Sequence, residues 1–230
     1  MSGLSAVVVE TSGNMASAAI YIKGKCVAEL NKDAALKHEN ALWNFFDKAS
    51  GKVRKTRFDF IAATRGPGRF TGVRLALGIA NTLAWARKAP VFAPSTLDLM
   101  SWKAVHNSKG LASVGSLMAF GGLVYAGLYK KSARAGMIKI RNEKSYKNIE
   151  DALKDICGKS GCRDVEVAFY GDKKAMERVR ASDAAVREIT PDSKNLFDMA
   201  MGSFKNRRSR GNDWYVKLFP KPLYLKQTWQ

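Results

Sequence analysis

Two stretches of this chain carry the same order of hydrophobic patterns, and that order leaves few folds open. Residues 5–10 (S-A-V-V-V-E) form a short β-branched run closed by the turn signal Thr11-Ser12-Gly13-Asn14. Residues 15–23 and 25–30 read as two further strands, with Lys23-Gly24-Lys25 as the hairpin turn. The pattern then switches to helical spacing over 36–49, where Ala35, Leu42, Phe45, Phe46 and Ala49 can share a face. After a basic loop come a buried-type strand over 58–64, a long apolar helix over 72–87 and a short strand near Val91. A helix follows Ser95, with Ser95 and Thr96 as candidate caps and Asp98 in its first turn. From about Leu111 the order returns. Strands are expected at 112–120, 123–131 and 134–141, a helix at 148–157, a strand at 165–170, and helices at 173–181 and 195–207. Prolines hold 220–225 extended. Antiparallel strands, helix, strand, helix, met twice with variation, predict two α/β lobes with mixed sheets.

The bulk numbers are compatible with this and exclude some classes. The chain has 230 residues, 46% hydrophobic and 26% charged, which suits a globular protein with a sizeable core. No apolar run approaches the roughly 20 residues a membrane helix needs. The first ten residues lack the features of a signal peptide, so no membrane role and a cytoplasmic setting are expected. Three cysteines, Cys26, Cys157 and Cys162, make no disulfide framework, and with only His38 and His106 as imidazoles they make no zinc site. The charge is unusual. Lys plus Arg number 39 against 20 Asp plus Glu, a formal +19, which favours nucleic acid or acidic partners. Two dense clusters, 52–57 and 205–210, offer Arg54, Lys55, Arg57, Arg207, Arg208 and Arg210 as candidate phosphate contacts.

The most specific segment is Arg65-Gly66-Pro67-Gly68-Arg69-Phe70-Thr71-Gly72-Val73-Arg74, set between an expected strand and an expected helix. Such a junction often binds anions. The spacing nevertheless fits neither nucleotide loop. The lysine of a Walker motif is missing from Thr71-Gly72-Val73, and Thr71 stands where a dinucleotide fingerprint needs its third glycine. A rigid turn, with glycines for unusual φ and proline for stiffness, is the plainer reading.

G-P-G-R-F-T-G-V-R resembles the signature of the TsaB (YeaZ-like) family, G-P-G-S-F-T-G-x-R. Gly66, Pro67, Gly68, Phe70, Thr71, Gly72 and Arg74 match it, and Arg69 replaces the serine. Phe58-Asp59-Phe60-Ile61-Ala62, Pro94-Ser95-Thr96-Leu97-Asp98, His38 and Pro222-Leu223-Tyr224-Leu225-Lys226 are similar to the family as well. The resemblance implies an α/β, two-lobe ASKHA fold (actin/Hsp70/sugar-kinase-like) with mixed sheets and a reduced second lobe, divided as 1–105 and 106–230. It implies a non-catalytic subunit of the complex that forms threonylcarbamoyladenosine on tRNA. The expected partners are a TsaD-type catalytic subunit, a TsaE-type ATPase, and tRNA through the complex. No cofactor or metal of its own is expected; weak nucleotide binding and a homodimer in isolation are left open. There are departures. Leu42 stands where related catalytic subunits carry a second metal histidine after His38, and Glu10-Thr11 replaces the Asp-Thr of the superfamily's kinases. Met118-Ala119-Phe120 and Leu123-Val124-Tyr125 stand where the family has Asp-Ala-Arg and Glu-Val-Tyr.

The helix over 72–87 is too apolar for one buried face. Arg74, Asn81 and Lys88 form a narrow polar strip, and apolar residues cover roughly 200° of the remainder, against the ~100° of a surface helix. His38, Leu42, Val73, Leu77, Ala80 and Ala84 are therefore expected to face a partner, with a fully internal helix as the competing reading. An ASKHA-type phosphotransferase or ATPase acting on its own is the alternative function.

Overall fold

The computed structural model describes residues 3–33, 37–106, 113–120, 122–132, 136–158, 165–206, 216–217 and 219–225. The first pass through the pattern gives β1 (Ala6–Glu10), β2 (Met15–Ile22), β3 (Lys25–Asp33), α1 (His38–Lys55), β4 (Phe60–Ala63), α2 (Phe70–Arg87), β5 (Val91–Phe92) and α3 (Thr96–His106). The second gives β6 (Ser113–Phe120), β7 (Leu123–Ser132), β8 (Gly136–Tyr146), α4 (Ile149–Cys157), β9 (Val165–Gly171), α5 (Lys173–Arg180), β10 (Ala185–Glu188) and α6 (Ser193–Asn206). A two-residue strand, β11 (Val216–Lys217), follows.

The repetition extends to the pairing. In the first sheet the order is β11-β5-β4-β1-β2-β3, and in the second β10-β9-β6-β7-β8. Strand β1 is antiparallel to β2 and parallel to β4, and β6 is likewise antiparallel to β7 and parallel to β9. Each sheet is thus an antiparallel meander extended by two parallel strands that follow helical crossovers. This is the expected two-lobe α/β fold with mixed sheets. The sequence reading omitted β10 and β11, both very short. It also stopped α1 at Ala49. The helix runs on to Lys55, and its basic last turn (Lys52, Arg54, Lys55) is the charge that complements a helix C-terminus.

The division of the chain is crossed. One compact unit holds residues 1–96 with 191–223, the other 97–190 with 224–230. The expected division into 1–105 and 106–230 thus gives way to one in which α3, after Thr96, belongs with the second sheet, and α6 with the first.

In the first unit, β1 is buried along its whole length and both faces of the sheet are covered. Val7, Val9, Ala18, Ile20, Ile61 and Ala63 pack with α1 and α2. The alternate residues face α6, where Phe197 stacks on Tyr21 at 3.5 Å and Phe204 on Phe60 at 4.7 Å. Burial on both faces is why the strand reads as an unbroken apolar run. In the second unit α4 and α5 cover one face around Leu117, Val167 and Phe169. The other is covered by α3, whose Leu97, Met100 and Ala104 meet Val114, Met118 and Ala168. Met118 is fully buried there, so the position where the family carries Asp-Ala-Arg is core in this chain. Asp98, read from sequence as a first-turn helix charge, is also fully buried and ion-paired with Lys139 at 3.1 Å. Cys157 is disulfide-bonded. Cys26 is free and exposed. No helix among the described residues is long and apolar enough to cross a membrane.

Candidate functional site

Helices α1 and α2 lie on the same face of the first sheet, and each has an inner and an outer side. On α1 the inner residues are His38, Leu42, Phe45, Ala49 and Val53, at helical spacing. On α2 they are Gly72, Val73, Ala76, Leu77, Ala80 and Ala84. Between the two outer sides runs an apolar groove of about 960 Å³, lined by Trp43, Phe46, Leu75, Ile79 and Leu83. Trp43 is 75% exposed. Arg54, Arg74 and Arg87 border the groove, with Glu39 among them.

This geometry corrects the choice of interface residues. His38, Val73, Leu77, Ala80 and Ala84 are all buried in the core of the first unit; Leu42, also buried, is the one member that reaches the groove. Small alanines on the inner side let α2 lie close to the sheet, and the bulkier Leu75, Ile79 and Leu83 face outward. Apolar residues surround α2, so periodicity could not tell the two sides apart. The available signal was on α1. Trp43 falls outside its 38-42-45-49-53 stripe, and so does Phe46, which the sequence placed on the inner face with Phe45.

The signature loop is a structural clamp on the turn after β1. Arg69 N–H donates to Ser12 O at 2.7 Å, the Arg69 guanidinium to Asn14 Oδ1 at 2.6 Å, and Thr11 Oγ1 to Gly72 O at 2.7 Å. Gly66 has φ +90°, a region that favours glycine, as the sequence reading supposed. Gly72 is glycine for a different reason, and Gly68, at φ +159°, for that reason as well. A Cβ on Gly68 would lie 2.4 Å from Ser12 O, and one on Gly72 2.0 Å from Thr11 O. Pro67 is buried, and the loop's other side is tied down by Thr96 N–H to Gly66 O at 2.9 Å and Leu223 N–H to Arg65 O at 2.6 Å. Of the matched residues, Phe70, Thr71 and Arg74 remain exposed, with the Arg74 guanidinium 3.7 Å from the centre of the Phe70 ring.

Glu10 and His38 are held in the same region. The buried Glu10 carboxylate accepts from Ser12 N–H at 2.7 Å and from the hydroxyls of Ser12 and Thr64. Burial raises its pKa above the ordinary carboxylate range, against the lowering effect of these donors. The His38 ring meets Asn14 O through Nε2 at 3.0 Å. Among the described residues no cluster of histidine, cysteine and carboxylate side chains could hold a metal ion. Because Glu10 titrates higher in the fold than in the unfolded chain, its contribution is complete below the unfolded carboxylate pKa and is lost as pH rises through the folded value. Glu10→Gln should therefore gain in melting temperature relative to wild type as pH rises from about 4 towards neutrality. Thermal melts across that range check this; parallel curves would remove Glu10 as the source of the dependence.

Of the candidate phosphate contacts, Lys55 and Arg57 are exposed and Arg54 borders the groove. Arg207, Arg208 and Arg210 lie outside the described residues.

Comparison with known proteins decides the family. The family model described as TsaD, tRNA N6-adenosine threonylcarbamoyltransferase, matches residues 31–201. The tRNA threonylcarbamoyladenosine biosynthesis protein TsaB of Buchnera aphidicola from Schizaphis graminum is 29% identical over 152 residues, 64% of this chain and 72% of that one. The protein of the same name from Haemophilus influenzae is 32% identical over 103 residues, 44% of this chain and 43% of that one. The chain belongs to this family, on its TsaB (YeaZ-like) branch. A Pseudomonas aeruginosa crystal structure with similarity to peptidase YeaZ has the same fold, with a TM-score of 0.72 at 21% identity over 97% of this chain and 100% of that one. The signature-loop clamp described above is thus the structural content of the TsaB-like motif in this chain.

Proposed function

We propose that this TsaB-family chain is a non-catalytic docking subunit in the formation of threonylcarbamoyladenosine on tRNA, and that it seats a TsaD-type catalytic partner in the α1–α2 groove. The observation that carries the reading is the groove itself, an apolar channel with exposed Trp43 in its lining. Exposed aromatic anchors of this kind supply most of the energy of protein interfaces. The state of Glu10 supports the absence of its own phosphoryl chemistry. Its carboxylate already accepts three donors inside the fold, an arrangement that would have to break before it could orient a metal. Exposed Lys55 and Arg57 add to a positive field suited to drawing tRNA towards the assembled complex.

The test is reconstitution with a TsaD-type protein and calorimetry of the pair. Trp43→Ala removes a side chain that contributes little to the core, so the fold should survive. Loss of one interface tryptophan costs about 2–4 kcal/mol, a rise in Kd of roughly 30- to 1000-fold. Unchanged affinity would remove the groove from the interface. Metal-dependent ATP turnover by the chain alone, lost on Glu10→Ala, would overturn the non-catalytic reading.

A further inference from the structure

The first sheet has two ends of different character. The signature loop and the turn after β1 occupy one. At the other, the chain enters β1, β4 and β5 and turns from β2 into β3. Helices α1 and α2 lead into β4 and β5, so both finish at this same end. Basic residues gather there. Lys23 and Lys25 flank the β2–β3 turn, and Lys52, Lys55 and Arg57 lie between the last turn of α1 and β4. Lys88 closes α2, and all six of these residues are exposed. In the three segments 23–25, 52–59 and 85–90 the one carboxylate is Asp59, whose Oδ2 accepts from Ser5 N–H at 2.7 Å.

Beside the end of α2 this face has a hollow of about 400 Å³, which shares no lining residue with the α1–α2 groove. Trp85 and Phe219 line it, 73% and 54% exposed, together with Lys88, Ala84, Pro90 and Val91. The backbone here is unusual. Lys88 takes φ +51° at the C-cap of α2, a position where helices commonly place glycine, and donates its N–H to Trp85 O at 3.4 Å. Phe219 has φ +56°, an outlier for a bulky residue. Among the described residues, the non-glycine residues with positive φ are these two and Lys23, and all three lie at this end of the sheet. Strained backbone of this kind clusters at ligand-binding sites.

We propose that this end of the first sheet binds single-stranded RNA, the basic residues following its phosphates and an unpaired base stacking on Trp85 and Phe219 in the hollow. The proposal rests on the reading of this chain as part of a tRNA-modifying assembly, and adds to it a face and a binding mode. Clustered lysine and arginine neutralise several phosphates together and would accept duplex and single strand alike. The rings make the distinction, because aromatic side chains take up a base only where it is unpaired. Lys88 in the same lining places a cation beside the stacked base, within reach of the adjoining phosphate. An anionic membrane would meet the same charge, but membranes are anchored by apolar side chains that project from a surface, and here the rings wall a hollow.

The test is fluorescence anisotropy of the full chain with a labelled single-stranded RNA of about 12 nucleotides, within the span single-strand-binding modules cover, and with the same strand in a duplex. Salt is varied from about 50 to about 200 mM. Three variants are compared with wild type: Trp85→Ala, Phe219→Ala, and Lys55→Gln with Arg57→Gln. Both rings are exposed, so either truncation spares the core, and thermal melts by circular dichroism select the variants that fold as wild type. Trp85→Ala and Phe219→Ala should each weaken single-strand binding by about 5- to 150-fold, leaving the salt slope and duplex binding unchanged. The lysine–arginine pair should instead flatten the single-strand slope by about 1.4 log units per log unit of salt. Single-strand affinity that neither ring truncation alters would overturn the proposal. So would a slope that the charge variant leaves as it was, or a wild-type chain that binds anionic phospholipid vesicles and not RNA. The docking reading is tested separately and without RNA, by Trp43→Ala against a TsaD-type partner. A chain that docks that partner and ignores the RNA would overturn this proposal alone.

Discussion

Ala80→Glu is expected to destroy the first lobe, whereas substitution of its exposed neighbours across the groove spares it. Ala80 has no exposed surface and packs in the core formed by α1, α2 and the sheet. A glutamate there must either place a charge among Val73, Leu77 and Ile61 or take up a proton and remain as an unpaired polar group. Added to this is the volume of the longer side chain, which the close approach of helix and sheet cannot accept. The combined cost is about 4 kcal/mol or more, a large part of the 5–15 kcal/mol that holds a typical domain together. The variant should be recovered as insoluble or non-cooperatively unfolding protein, as seen by denaturant titration. A folded Ala80→Glu protein with a wild-type midpoint would mean that α2 presents its other side to the sheet.

Gly72→Ala should be nearly as damaging, although it adds a single methyl. The new Cβ would lie 2.0 Å from Thr11 O and 3.2 Å from His38 Nδ1. Neither neighbour can yield easily. Thr11 belongs to the turn that Arg69 and Gly72 clamp by hydrogen bonds, and His38 is buried at the start of α1. Relief requires α2 to shift away from β1, opening the core on both sides. The cost should be about 2–4 kcal/mol, which in a protein of this size lowers the melting temperature by roughly 5–15 °C. Calorimetry would show it, and a drop within about 2 °C would mean that the clamp is soft. Gly66→Ala offers an instructive contrast, because its φ of +90° strains any side chain while its nearest neighbours would be 3.5 Å away.

The repeated order of strands and helices was readable because strand and helix periods differ and turn residues punctuate them. The run A-V-V-V, buried on both faces, announced an interior strand as plainly as any motif. The signature loop was readable as a turn but not as a clamp. Its glycines were assigned to unusual φ, and that explains Gly66 and not Gly72, whose reason is a carbonyl that arrives from sixty residues earlier in the chain. The groove was half readable. The excess of apolar residues on α2 was visible, but an apolar arc of roughly 200° does not say which part of it meets the sheet, and Ala80 turns in where Ile79 faces out. The exchange of α3 and α6 was not readable at all, since an amphipathic helix records that it must cover a sheet and not which sheet it covers.

That exchange sets an order of assembly during synthesis. The buried clusters of the second unit lie within residues 97–190, which emerge without interruption, so that core is available as soon as they have left the ribosome. The first unit must wait. Its sheet exposes Tyr21 and Phe60 until Phe197 and Phe204 arrive on α6. At about 5–20 residues per second the stretch from Phe60 to Phe204 takes roughly 7–29 s, long enough for an aromatic sheet face to attract chaperones or neighbouring chains. The half of this protein that is translated first is the half whose core closes last.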